Sequence, residues 1–162
     1  MAPAPYTIDF SIEPSFARQV RRRSLAALAR QALAAEGAPA PTELSIAVTD
    51  DETMRDLNLR YRNIDAPTDV LSFRLDSDDG FVTPPESRRS LGEIVISYPT
   101  AARQAEEAGH AVDEELAHLV VHGVLHLLGY DHESPVEARA MRAREEALLG
   151  SALRHLKGRA AH

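Results

Sequence analysis

Three histidines, His122, His126 and His132, stand in His122-Gly123-Val124-Leu125-His126-Leu127-Leu128-Gly129-Tyr130-Asp131-His132, an H-x3-H-x5-H spacing. On a helix the first two fall one turn apart on one face, where two imidazoles can chelate one metal ion. Gly129 is suited to end that helix, because glycine enters the left-handed conformation at little cost. The chain can then turn back and deliver His132 as a third ligand. Three neutral imidazoles leave one position of a tetrahedral zinc open to water, which is the arrangement of catalytic sites rather than structural ones. A lone histidine on a helix is ordinarily a core or surface residue; three of them around a helix-stopping glycine point to a metal centre, one Zn2+ per chain. The same stretch fits the zinc peptidase frame H-E-x-x-H-x-x-G-x-x-H at every position but the second. There Gly123 replaces the glutamate that serves as general base.

The helix that carries this stretch is expected over about residues 113–128, with Asp113 as its cap and Glu114 and Glu115 at its positive end. Its apolar residues, from Leu116 to Leu128, lie nearly all round it, so it belongs in the middle of a domain. Gly123 within it costs about 1 kcal/mol against alanine, which suggests close approach of backbone or substrate. Elsewhere the pattern reads as follows. Residues 6–12 alternate as a strand, and about 16–36 form a helix whose inner stripe includes Phe16, Val20, Leu25, Leu28 and Leu33. Residues 43–48 form a second strand. Thr49 and Glu52 frame a capping box for a helix running to about Tyr61. Val70–Phe73 and Leu91–Ser97 read as strands joined by a long, mobile, Asp-, Ser-, Pro- and Gly-rich loop over 74–90. A helix starts at Pro99 or Thr100 and stops near Gly109. The last helix opens at Ser134-Pro135-Val136-Glu137 and ends near Leu149 or Leu156. Residues 1–5 and about 157–162 are expected to be frayed tails. The order β-α-β-α-β-β-α-α-α implies a single α+β domain spanning 1–162. It would hold one mixed four-stranded sheet covered by about five helices, with a central buried metal-bearing helix.

Composition narrows the function classes. The chain has 162 residues, enough for one domain with a proper core. It has no cysteine, hence no disulfide framework and no thiolate zinc site, and no run long and apolar enough to span a membrane. Its N-terminus lacks the basic and apolar regions of a signal peptide, so the cytoplasm is the expected compartment. A net charge of −7 speaks weakly against a general nucleic-acid binder, although it hides the distribution of charge. Lys157 is the only lysine, and arginine, the better bidentate partner for phosphate, supplies the rest of the positive charge. Arg18, Arg21, Arg22, Arg23 and Arg30 cluster on or near the first helix; such a run is ordinarily a solvated face, with an RNA-facing patch as the minority reading.

Two blocks together resemble the bacterial YbeY family of metal-dependent endoribonucleases. One is the histidine stretch; the other is Tyr61-Arg62-x-x-Asp65-x-Pro67-Thr68-Asp69-Val70-Leu71-Ser72-Phe73. The resemblance implies zinc ligands at His122, His126 and His132 and a functional arginine at Arg62. It implies action in the cytoplasm on single-stranded regions of ribosomal RNA, in its processing and in ribosome quality control. It also implies small-subunit ribosomal components and the GTPase Era as partners.

The chemistry read from the residues is metal-assisted hydrolysis. Zinc lowers the pKa of bound water to about 7 and polarises a phosphoryl oxygen, and a guanidinium opposite the scissile phosphate stabilises the developing charge. Arg62 is the candidate for that guanidinium; its structural alternative is an ion pair with Asp65 or Asp69. With no glutamate at position 123, three routes for the proton stay open. The metal-activated water needs no protein base, an RNA 2′-hydroxyl attacks instead, or a nearby group such as His118, Asp69 or Asp131 accepts the proton. His118 lies one turn before His122 on the same face and either supports the site, contacts substrate or packs beside it as a neutral histidine. A metallopeptidase and a non-catalytic ribosome assembly factor with a structural zinc remain the alternative readings.

Overall fold

The computed structural model describes residues 5–74, 89–131 and 133–160. His132 and the 75–88 part of the long loop therefore lie outside the described residues. Four strands, β1 (Tyr6–Ile12), β2 (Thr42–Thr49), β3 (Val70–Arg74) and β4 (Arg89–Ser97), form one sheet in the order β1-β2-β4-β3. β1, β2 and β4 run parallel, and β3 pairs antiparallel to β4 at the edge. Five helices accompany them: α1 (Arg22–Ala35), α2 (Asp51–Arg62), α3 (Tyr98–Ala108), α4 (Val112–Leu127) and α5 (Pro135–Ala160). The element order and the mixed α+β architecture are those expected from the sequence.

The helix α4 is the middle of the molecule. Leu116, Leu119, Val120, Val121, Val124, Leu125 and Leu127 are all buried, against α1 and α5 and against Leu44, Ile46, Ile94 and Ile96 of the sheet. Gly123 explains how closely helix and sheet approach: a Cβ there would meet Ile94 side-chain carbons at 2.8 to 3.0 Å. The opposite face of the sheet carries a smaller cluster in which Met54 of α2 meets Leu71 and Val95, with Leu57 and Phe73 beside them.

Several element boundaries differ from expectation, each for a local reason. α1 starts at Arg22, not near Phe16. Pro14–Phe16 instead form a 3-10 turn, and Phe16 stacks on Tyr98 with ring centroids 4.9 Å apart, so tertiary packing overrides the helical spacing. The cap of α2 is Asp50, whose carboxylate accepts from the Thr53 amide at 2.8 Å, rather than Thr49. Asp113 is not the cap of α4: the helix starts at Val112, and Asp113 in its first turn pairs with Arg21 at 3.1 Å. α5 continues to Ala160, past Leu149 and Leu156 and through residues expected to be frayed. It contains no proline beyond Pro135, and its two glycines, Gly150 and Gly158, do not break it.

Gly92 of β4 lies where β3 and Leu127 of α4 close in on the strand. It sits at φ +153° beside a shift in register, where Glu43 pairs with Ser90 but Leu44 pairs with Gly92. A Cβ there would lie 2.2 Å from the Phe73 carbonyl oxygen and 2.9 Å from Leu127 Cδ2. Such a bulge needs a residue without a side chain. Gly92→Ala is expected to destabilise the fold by about 2 to 3 kcal/mol, read as a fall in the urea midpoint.

Asp51 joins α2 to α3. Its carboxylate accepts from Ser97 Oγ at 2.5 Å, Thr100 Oγ1 at 2.6 Å and Arg103 Nη2 at 2.7 Å. Burial pushes its pKa up, but the hydrogen bonds from Ser97, Thr100 and Arg103 together prevail and hold it below the ordinary 3.8. A depressed folded-state pKa contributes stability that is present above the unfolded value and lost as pH falls through the folded one. Asp51→Asn is therefore expected to cost about 1 kcal/mol at pH 7, with the gap to the parent narrowing below pH 3.8 in urea titrations.

Candidate metal centre

His122 and His126 lie on the one side of α4 that is not sealed, both half-buried, with ring centroids 4.6 Å apart. His118 continues the row one turn earlier, its ring stacked toward His122 at 6.1 Å. The helix ends as the sequence implied. Gly129 adopts φ 107°, its amide donates to the His126 carbonyl at 3.1 Å, and the Tyr130 amide donates to the Leu125 carbonyl at 3.0 Å. These two bonds, made through a left-handed glycine, are the Schellman closure that reverses the chain after a helix. The turn is held from outside. Arg74 of β3 donates to the same His126 carbonyl at 2.9 Å. Tyr130 Oη donates to Glu36, the residue that follows α1, at 2.7 Å, and Arg144 of α5 donates to the other oxygen of Glu36 at 2.5 Å. The hydrogen bond to Glu36 raises the Tyr130 pKa, and burial adds to that. Position 132 follows two residues after this anchored tyrosine.

A side chain that the sequence reading missed completes the row. Glu145 of α5, only 7% exposed, places Oε1 2.6 Å from Nδ1 of His122. Burial pushes its pKa up, but the hydrogen bond from His122 and the fields of His122, His118 and His126 outweigh it, and the carboxyl lies below its ordinary value. The signal was present: Glu145 shares a helical stripe with buried Met141 and half-buried Leu148 and Leu149, where an acid stands out. Donor atoms of His118, His122 and Glu145 all lie within 4.8 Å of one another, a possible metal-holding group among the described residues. The 2.6 Å contact itself is a hydrogen bond, since two ligands of one tetrahedral zinc stand about 3.3 Å apart for ordinary bond lengths. With Nδ1 of His122 turned to Glu145, Nε2 is the ring atom that would take a metal. Imidazole nitrogens on a half-open helix face fit zinc by donor type.

The remaining candidates are more dispersed. Arg62 is exposed in the last turn of α2 and makes no hydrogen bond or ion pair among the described residues. The ion pair considered for it is made by another residue: Arg55 holds Asp65 at 2.6 and 3.1 Å and lowers its pKa. Asp69 is also taken up locally, its carboxylate accepting from the Val70 amide at 2.8 Å and its carbonyl from the Ser97 amide at 2.9 Å. Asp131 is half-buried in the turn after Tyr130. Next to Arg62, Tyr61 is 60% exposed and rests edge-on against Phe73 with centroids 5.1 Å apart. Asn58 holds the intervening loop, donating to the Ala66 carbonyl at 2.8 Å. The five arginines near α1 are all exposed, and Arg21 is paired with Asp113. No helix among the described residues is long and apolar enough to cross a membrane.

Comparison with known proteins places these features in context. The family profile described as endoribonuclease YbeY matches residues 11–152. A protein named endoribonuclease YbeY from Roseiflexus castenholzii is 49% identical over 152 residues, covering 93% of this chain and 96% of the relative. One of the same name from Dehalococcoides mccartyi is 40% identical over 158 residues, covering 93% of each. The solution structure of a Thermotoga maritima protein has the same fold, with a TM-score of 0.61 over 94% of this chain and 93% of that one, at 22% identity.

Proposed function

We propose that this chain, which belongs to the YbeY endoribonuclease family, is a zinc-dependent endoribonuclease of the cytoplasm. Its substrate in this reading is single-stranded ribosomal RNA, in maturation and quality control of the ribosome, with small-subunit components and the GTPase Era as partners. The observation that supports it most is the pairing of His122 and His126 on the single open side of a buried helix, with the Nδ1 of His122 already occupied by Glu145. His122, His126 and His132 would hold the zinc, and when bound it supplies an activated water and a Lewis acid for the phosphoryl oxygen.

The chain's own residues do the rest. The Arg62 guanidinium, exposed and uncommitted among the described residues, binds a non-bridging phosphate oxygen pair and stabilises the charge that grows there. Tyr61 beside it offers a ring face on which an unpaired base stacks, a contact that favours single strands. Gly123 weighs against peptidase chemistry. Position 123 faces Ile94 of the sheet, so a glutamate there would be driven into the core rather than toward the histidines.

The test is cleavage by the zinc-loaded protein of single-stranded RNA, a fully paired RNA duplex, single-stranded DNA and an unfolded protein. Internal cuts in single-stranded RNA alone are the expected result. Cleavage of the protein substrate would favour the peptidase reading, and no cleavage of any substrate by folded, zinc-loaded chain would favour an assembly factor. Chelation is expected to abolish cutting and to leave the far-UV circular dichroism unchanged, because the α4 core closes without the metal. Unfolding on chelation would mark a structural zinc instead.

A further inference from the structure

We infer that Glu145 is the positioning residue that orients His122 toward the metal, an inference that rests on the zinc reading above. Its carboxylate lies in α5, 23 residues beyond His122, and its Oε1 lies 2.6 Å from Nδ1 of His122, within hydrogen-bond distance. Both partners are shielded, with side chains 25% and 9% exposed for His122 and Glu145. A buried carboxylate is ordinarily neutralised by arginine or lysine. The neighbouring cation, Arg144, is committed to Glu36. Glu145 faces His122, and donor atoms of His118 lie within the same 4.8 Å group. Neutral imidazoles give it a dipole but no counter-charge; a divalent ion on the far nitrogen of His122 supplies one. The hydrogen bond also selects the tautomer, with the proton on Nδ1 and the lone pair on Nε2, and makes that nitrogen a stronger donor.

Chain order reinforces the assignment. α5 begins at Pro135, three residues after His132, with Ser134 accepting from the Glu137 amide at 3.1 Å. Glu145 lies about 15 Å along the axis of α5 from Pro135, at 1.5 Å per residue, and there meets His122.

The experiment compares the parent with Glu145→Gln and Glu145→Asp in zinc competition against a chromogenic chelator, with cobalt absorption and circular dichroism on the same samples. Glu145→Gln keeps an acceptor oxygen but removes the charge. It is expected to stay folded, to bind one metal, and to bind it about 10- to 100-fold more weakly; Glu145→Asp, which keeps the charge, is expected to recover part of the loss. In the parent, imidazole 15N resonances should give His122 as the Nδ1–H tautomer with its Nε2 shifted by zinc, a readout that needs no variant. Unchanged zinc affinity in folded Glu145→Gln, or zinc on Nδ1 in the parent, would overturn the assignment. So would a parent that binds two metals and a variant that binds one, since Glu145 would then be a ligand itself. A parent that binds no zinc would instead remove the zinc reading beneath it.

Discussion

His126→Ala is expected to fold normally and yet to cut RNA about a thousandfold or more slowly than the parent, with zinc affinity reduced by more than the loss of a supporting hydrogen bond would cause. The ring is half-buried on the open side of α4, apart from the apolar residues that seal the helix against the sheet, so its removal opens no cavity in the main core. What remains on the helix are His122 and, one turn earlier, His118. The His126 carbonyl, which receives the Gly129 amide and the Arg74 guanidinium, belongs to the backbone and survives the substitution. The closing turn therefore persists, and the defect should lie in metal occupancy rather than stability. Matched cleavage rates, zinc titrations and thermal melts check all three. Normal cutting by a variant shown to have lost its zinc would remove the metal from the reaction.

The second large effect concerns Arg62→Ala. It is expected to lower turnover on single-stranded RNA about 10²- to 10³-fold, the usual consequence of deleting one donor to transition-state charge, while leaving zinc affinity and stability near those of the parent. The stability expectation follows from the structure: the loop after α2 is tied by Arg55 to Asp65 and by Asn58 to Ala66, not by Arg62. Exposed substitutions away from such ties ordinarily shift stability by no more than about 0.5 kcal/mol. Arg62→Lys is expected to restore only part of the rate, because an ammonium keeps the charge but lacks the planar fork that grips two phosphate oxygens. A full set of kcat and KM values separates the possibilities. A rise in KM alone would make Arg62 a general phosphate contact, and an unchanged kcat/KM would exclude it from the reaction.

Much of the architecture follows from local signals. Alternation located β1 and β2, short apolar runs located β3 and β4, and the apolar periphery of 113–128 placed that helix at the centre. Glycine conformation ended α3 at Gly109 and α4 just before Gly129, both at positive φ. Local signals failed where a distant partner decides. Phe16 leaves the helical stripe because Tyr98 offers it a ring to stack on. Glu145 could not be paired with His122 from spacing, because the two belong to different helices and meet through tertiary packing. The ambiguity over Arg62 was of the same kind: Asp65 had two arginines within reach along the chain, and the geometry of α2 gives it Arg55. Gly123 was legible as a point of close approach, but only the position of Ile94 shows that the approach is to the sheet and not to substrate.

The central claim is that one zinc per chain, held through the α4 histidines, is what makes this fold cut RNA. It is tested most directly by adding zinc stepwise to chelator-treated protein while measuring bound metal and single-stranded RNA cleavage in the same sample. The account predicts that cleavage rises in proportion to zinc and levels off at one equivalent per chain. Full cleavage before any zinc is added, or one tightly bound equivalent with no cleavage, would contradict it.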